Sequence, residues 1–370
     1  MRAAMFYGGT DIRVQDVDPP HVGPGDALVR IAAAGICGSD LLAYQGRGPW
    51  QYDPQHPELS GHELAGEVVS VGSDVRGVEV GAHVAVEPTH LLSCGACELC
   101  RAGTTQLCQQ RGHHPGLRTH SSGFAEFDSM PAGRLHPLPE RISLDEAALI
   151  DCYACAVHAL HLAQAAPGAE RDHPMVILGA GTIGLTFGQV ARAHGHRVVL
   201  TGTRDPALQL ARSAGAADAV INVRTEDLAK AVAAHTAGRG PAVVIDAVGD
   251  PDVTLAQAID VVRPGGAIIV MGVYTRSPDF DPSRAFSKEV GIRWSNSYGR
   301  CLGESEFSIA TRLMTGGRVD AAPLITHRFG LEQISDAFAT ALDRRRTSAM
   351  KVLVVPDPES QRRHVSAEGP

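Results

Sequence analysis

Three groups of residues in this chain could do chemistry. From Cys94 to Cys108 it reads C-G-A-C-E-L-C-R-A-G-T-T-Q-L-C, so Cys94, Cys97 and Cys100 stand three apart and Cys108 follows eight later. A loop folded around one ion can present four thiolates tetrahedrally at this spacing, and an all-sulfur set with no open position suits structural zinc. The stretch has few apolar residues, so ligation must stand in for a local core. Four cysteines also hold iron–sulfur clusters, but the nearest such run ends in Cys-Pro, whereas Gln109 follows Cys108 here. Free thiols are the remaining alternative. Upstream, G-I-C-G-S-D supplies Cys37, Ser39 and Asp40, and G-H-E supplies His62 and Glu63. A lone His is usually structural. A Cys, a His and carboxylates in Gly-flanked turns are more suggestive of a reaction centre.

The third group is G-A-G-T-I-G, residues 179–184. The apolar run 175–178 precedes it and a helical pattern follows, which is the context a dinucleotide fingerprint requires. Gly179 makes the tight turn, Gly181 admits a pyrophosphate to the backbone, and Gly184 lets helix pack on strand. Thr182 and Ile183 complete the loop, and the helix N-terminus offers amide donors to the phosphates. A purely structural glycine turn is the alternative. The next strand ends V-V-L-T-G-T-R-D. An NAD site usually has an acid there for the ribose hydroxyls. Gly202 removes that charge, Thr203 can hydrogen-bond a 2′-phosphate, and Arg204 can pair with it. NADP is therefore favoured over NAD. In the other reading Arg204 is a solvated charge and Asp205 serves the ribose.

These groups need a scaffold, and 370 residues is enough for two domains. The first ~150 residues read as irregular and strand-rich, with β-branched runs such as 27–31 and 68–71 broken by Gly, Pro and Asp. From Ser143 to about Arg284 strands alternate with amphipathic helices. Strands are expected at 175–178, 197–201, 219–222, 242–247 and 267–272, with helices at 184–194, 207–214, 227–235 and 253–262. That alternation predicts an α/β, doubly wound parallel sheet. The rhythm then stops. Helices are expected at 305–314 and 331–342, a last strand at 351–355, and a solvated tail with Asp357, Glu359, Arg362 and Arg363. The layout is discontinuous: residues 1–153 and 295–370 form one domain carrying a zinc lobe at 90–110, and 154–294 is inserted.

Composition narrows the class. Hydrophobic residues make up 44% and charged residues 20%, as in ordinary globular proteins. The formal charge of −8 argues against a nucleic-acid footprint. No apolar run reaches the ~18 residues of a membrane span, and the start lacks a signal-peptide pattern. A cytoplasmic protein is expected, in which eight cysteines serve as metal ligands or free thiols rather than disulfides.

The ordered set G-I-C-G-S-D, S-G-H-E-L-A-G, the four-cysteine lobe, A-L-I-D before A-V-H-A, and G-A-G-T-I-G resembles the zinc-containing medium-chain alcohol dehydrogenases over nearly the whole chain. The resemblance implies a GroES-like, β-rich catalytic domain around an inserted Rossmann domain, with a catalytic zinc in the cleft and two zincs per chain. By motif, Cys37 and His62 are ligands of the catalytic zinc. The segment before A-V-H-A places Asp151 at the third ligand, with Cys152 as its rival and Glu63 similar to a carboxylate that ligates in some relatives. Asp40 resembles the partner that orients His62, and Ser39 the hydroxyl that takes the alcohol proton. Relatives commonly carry His five residues after the zinc Cys, where this chain has Leu42, so the usual proton relay is broken. The pattern is most similar to sorbitol-, threonine- and cyclitol-type dehydrogenases. It implies a small secondary alcohol of a polyol, cyclitol or sugar derivative as substrate. Threonine-type or simple secondary alcohols, or a non-catalytic NADPH-binding relative, are the alternatives. Tyr44, Trp50, Glu63, His114 and Tyr298 are candidate pocket residues, and a homo-oligomer, dimer or tetramer, is expected.

Overall fold

The computed structural model describes residues 1–47, 53–88, 93–110, 122–165 and 173–356. Trp50, His114 and the tail residues Asp357, Glu359, Arg362 and Arg363 lie outside them. The chain forms two compact units, 1–151 with 325–370, and 152–324.

The first unit opens with strands β1 (Arg2–Gly8), β2 (Asp11–Asp16) and β3 (Asp26–Gly35), helix α1 (Gly38–Tyr44), and strands β4 (Glu58–Leu59), β5 (Glu63–Val71) and β6 (His83–Val86). Helix α2 (Glu98–Arg101), strands β7 (Phe127–Pro131) and β8 (Leu135–Pro137), and helix α3 (Leu144–Ala147) follow. Helix α4 (Ile150–Gln164) leads into the second unit. There β9 (Met175–Leu178), α5 (Thr182–Ala193), β10 (Val198–Gly202), α6 (Asp205–Ser213), β11 (Ala219–Asn222), α7 (Leu228–His235), β12 (Val243–Asp246), α8 (Thr254–Val261) and β13 (Ala267–Val270) alternate as expected, and the alternation runs on, past where it was expected to stop, through α9 (Pro282–Ser287) and β14 (Gly291–Trp294). A small hairpin, β15 (Arg300–Cys301) with β16 (Glu304–Ser305), runs into α10 (Glu306–Thr315). The chain then returns through β17 (Ile325–Gly330), α11 (Ile334–Leu342) and β18 (Lys351–Val355).

In the first unit seven strands form one sheet in the order β17-β18-β3-β5-β6-β8, with β7 also paired to β3. Strand β3 is therefore central, antiparallel to both β18 and β5. Val29, Ile31, Leu64, Val68 and Val354 are buried in the core beneath it, closed by Phe6, Phe124 and Phe338 with ring centroids 5.7–5.9 Å apart. Edge-on and tilted ring pairs at such spacings add to the burial itself. The expected pocket residue Tyr44 packs on Phe338 at 5.0 Å.

The second unit carries a parallel six-stranded sheet in the order β11-β10-β9-β12-β13-β14. Strands β9, β12 and β13 are buried along their whole length, which is why their sequences are continuous aliphatic runs rather than alternating ones. Strand order reverses between β9 and β12, the crevice where such sheets bind ligands.

This unit extends beyond residue 294, where the inserted domain was expected to end, to Leu324. Buried side chains hold that segment. Tyr298 packs on Phe307 at 5.8 Å, and the buried Glu306 carboxylate faces His158 Nδ1 at 2.8 Å and His161 Nδ1 at 2.7 Å while accepting from the Gly299 amide. Burial pushes the Glu306 carboxyl up, but the two imidazoles and the amide outweigh it and hold it at about 2. A depressed carboxylate stabilises the fold fully above its unfolded pKa, near 4.5, and loses that contribution as pH falls through about 2. Glu306→Gln is therefore expected to cost on the order of 3 kcal/mol at pH 7 and to flatten the acid limb below pH 4.5. Urea unfolding across that range checks it; an unchanged acid limb would refute the assignment.

Candidate metal centres and dinucleotide site

The four-cysteine lobe is built locally. Cys97 caps α2, taking the Cys100 amide on its sulfur, while Cys94 and Cys108 close the loop through the Cys94 amide. All four sulfurs lie within 4.8 Å of one another and form no disulfide. The Cys97–Cys100, Cys94–Cys100 and Cys97–Cys108 separations are 3.4, 3.9 and 4.0 Å. A tetrahedron with metal–sulfur bonds of ~2.3 Å requires about 3.8 Å between sulfurs. The Ala96 and Cys97 amides draw the Cys94 thiol down to about 6, whereas burial and Cys97 push Cys100 up to about 11. Four crowded sulfurs cannot all ionise without a cation among them, so the lobe fits a thiolate-bound zinc.

The second group draws on distant parts of the chain. Cys37 follows β3 and caps α1, and its amide donates to Asp40 Oδ2 at 2.8 Å. His62 and Glu63 stand at the start of β5, where Glu63 pairs in register with Gly35. The ligand atoms of Cys37, His62 and Glu63 converge within 4.8 Å. Sulfur, nitrogen and oxygen donors from three residues suit a zinc with an open position. Asp40 is buried, and its Oδ1 lies 3.6 Å from His62 Nδ1. Burial opposes the His62 charge, but Asp40, Cys37 and Asp151 overcome it and raise the imidazole well above its ordinary value. Asp151, on the first turn of α4, is buried and felt by His62, but it is not within that 4.8 Å group. Cys152 is buried beside it in sequence. Ser39 sits half-buried on α1, and Leu42 occupies the same helix.

One residue of this group had no signal in sequence reasoning. Lys351 opens β18, is 3% exposed, and donates from Nζ to Glu63 Oε2 at 2.5 Å and to the Ile36 carbonyl at 3.2 Å. Only its place in an apolar strand, K-V-L-V-V, marked it as unusual.

In the second unit, G-A-G-T-I-G joins β9 to α5 as expected. Gly179 has φ +114°, and a Cβ on Gly184 would lie 2.0 Å from the Gly179 carbonyl oxygen. The turn thus requires both glycines, and it leaves the α5 N-terminus, with Thr182 and Ile183, at the switch point. At the end of β10, a Cβ on Gly202 would meet Ala180 Cβ at 2.8 Å, so close packing excludes an acid there. Thr203 is exposed, Arg204 is half-buried, and Asp205 accepts from Asn222 Nδ2 at 2.6 Å.

Taken together these are the parts of a metal-using nicotinamide oxidoreductase. Residues 23–140 match the alcohol dehydrogenase GroES-like domain, and residues 182–316 match the zinc-binding dehydrogenase domain. The chain is 30% identical over 364 residues to sorbitol dehydrogenase of Bacillus subtilis, covering 96% of this chain and 98% of that one. It is 35% identical over 343 residues to L-threonine 3-dehydrogenase of Pyrococcus abyssi, covering 91% and 93%. Among solved structures, a zinc-binding dehydrogenase from Sinorhizobium meliloti bound to NADP matches with TM-score 0.80 and 27% identity, covering 96% and 99%. The chain belongs to the zinc-containing medium-chain alcohol dehydrogenase family and is an NAD(P)-dependent oxidoreductase.

If the lobe and the Cys37 group are separate sites, Cys37→Ser leaves the four-sulfur ion bound and removes the other. Metal analysis of the purified variant should give one zinc per chain and turnover near background. Retained activity would refute the role of Cys37.

Proposed function

We propose that this enzyme oxidises a secondary hydroxyl of a polyol, cyclitol or sugar derivative to a ketone, and runs the reverse, with NADP as cofactor. The observation that carries the reading is the convergence of Cys37, His62 and a carboxylate into one mixed-donor group. The full-length similarity to a sorbitol dehydrogenase supports the substrate class.

When bound, a zinc supplies Lewis acidity that lowers the hydroxyl pKa, and the nicotinamide supplies the hydride acceptor. Cys37 and His62 would hold that zinc, with Glu63 or Asp151 as the carboxylate and Cys152 as the remaining rival. Asp40 faces Nδ1 of His62, which sets the ring so that Nε2 can serve as a ligand. Ser39, on the turn begun by Cys37, takes the hydroxyl proton. Leu42 has no group to pass it on, so the proton leaves through water, Glu63 or a nearby His. The four-cysteine lobe has no open position and holds shape, which makes two zincs per chain.

Gly179, Gly181, Thr182, Ile183 and Gly184 would cradle the pyrophosphate. Gly202, Thr203 and Arg204 would accept a 2′-phosphate. The bond from Asn222 to Asp205 supports this, because it engages the acid next to Arg204. A homo-oligomeric, cytoplasmic enzyme is the matching expectation from the family, and light scattering on the purified chain checks the assembly.

A second reading, oxidation of a threonine-type amino alcohol, is favoured by the 35% identity to the Pyrococcus enzyme. A panel of polyols, cyclitols and amino alcohols with both cofactors separates the two. The highest kcat/KM should fall on a polyol or cyclitol; a preference for threonine would reverse the order. Arg204→Ala should raise the KM for NADP about tenfold or more while leaving that for NAD nearly unchanged, since one charge-assisted phosphate contact is worth roughly 1.5–3 kcal/mol. Equal or better wild-type turnover with NAD would overturn the cofactor assignment.

A further inference from the structure

The pair formed by Lys351 and Glu63 is buried on both sides, with exposures of 3% and 1%. Such a pair costs desolvation that a well-packed apolar pair would not, so it calls for a reason beyond stability. Its position supplies one. Strand β3 lies between β18 and β5, with Leu353 and Glu63 both in register with Gly35. Gly35 has no side chain to separate them, and a Cβ there would lie 2.1 Å from Glu63 Oε2. The ammonium of Lys351 thus reaches past the end of β3 to a carboxylate that converges with Cys37 and His62. Its second bond, to the Ile36 carbonyl, fixes it one residue before Cys37.

We infer that Lys351 is a positioning residue that restrains Glu63 as a metal ligand. With Oε2 committed to the ammonium, Glu63 can offer a metal at Cys37 and His62 one oxygen at most. That oxygen is weakened by the nearby positive charge. The coordination position a substrate hydroxyl needs is thereby kept from closing into a two-oxygen carboxylate clamp. This rests on the reading that Cys37, His62 and Glu63 surround a metal.

The test uses full-length, zinc-loaded protein and chelator competition, which separates the weaker second site from the four-cysteine site, together with visible absorption after cobalt replaces zinc there. Lys351→Met should hold the second metal about tenfold more tightly, the scale on which groups around a ligand act. Its cobalt bands should weaken as the coordination number rises. Lys351→Arg should shift the other way, because a guanidinium fork takes both carboxylate oxygens. In the Glu63→Gln background neither change should move the affinity. A residue that merely filled space would loosen metal in both variants, so loosening in Lys351→Met overturns the inference, as does an equal shift in the Glu63→Gln background. Should Lys351→Met not fold, Lys351→Arg decides alone: looser binding that vanishes with Glu63→Gln supports the inference, and unchanged or tighter binding overturns it. A wild type that binds only the four-cysteine zinc refutes the underlying site instead.

Discussion

The pairing of β3 with β5 on one side and β18 on the other is the constraint on which the reactive group depends. That arrangement carries Cys37 off the end of one strand, sets His62 and Glu63 at the start of the second, and brings Lys351 from the start of the third. The register is tight, because the missing side chain at Gly35 is where the Glu63 carboxylate lies. A slip of one residue would turn Glu63 to the opposite face of the sheet and leave a buried lysine without its counter-charge. Such a charge is costly enough that this register and the group's geometry are enforced together.

The two metal groups are built on opposite principles. The lobe is nearly self-contained, with four sulfurs inside fifteen residues of sequence, their positions set by a short helix and turns. An ion there would replace a core the loop does not have. The Cys37 group instead borrows its rigidity from the seven-stranded sheet and the aromatic core around Phe338. Were that group to hold a metal with a position open, it would need such stiffness, because a closed shell of metal bonds would not hold its ligands.

In the second unit the same separation of roles appears. The buried aliphatic strands β9, β12 and β13 form the platform, and the glycine turn spends no side chains where a phosphate must approach. Gly202 answers a packing demand, since a Cβ there would press on Ala180 and Leu208. The segment through Tyr298 and Glu306 joins this unit because His158 and His161 lie one turn apart on α4 and share a carboxylate.

Much of this was legible in sequence because it is local. The lobe spacing, the strand–glycine turn–helix context and the aliphatic alternation are properties of short windows, and they pointed to family, fold class and nicotinamide chemistry before any coordinate. Motif resemblance also paired Cys37 with His62, although they lie twenty-five positions apart. What the windows could not hold was decided by tertiary structure. Alignment by motif favoured Asp151 as the carboxylate; the folded sheet in addition brings Glu63 together with Cys37 and His62 and sets Asp151 close enough for its charge to act on His62. That Tyr44 packs on Phe338 and Tyr298 on Phe307 is likewise a property of the folded chain that no short window shows. Lys351, 288 residues from Glu63, was marked locally only by standing in an apolar strand, which says nothing of its partner. Residue type and spacing determine which atoms can bind a metal or a phosphate. Only the pairing of distant strands, driven by burial of their apolar faces, decides which of those atoms meet and which charges stand beside them.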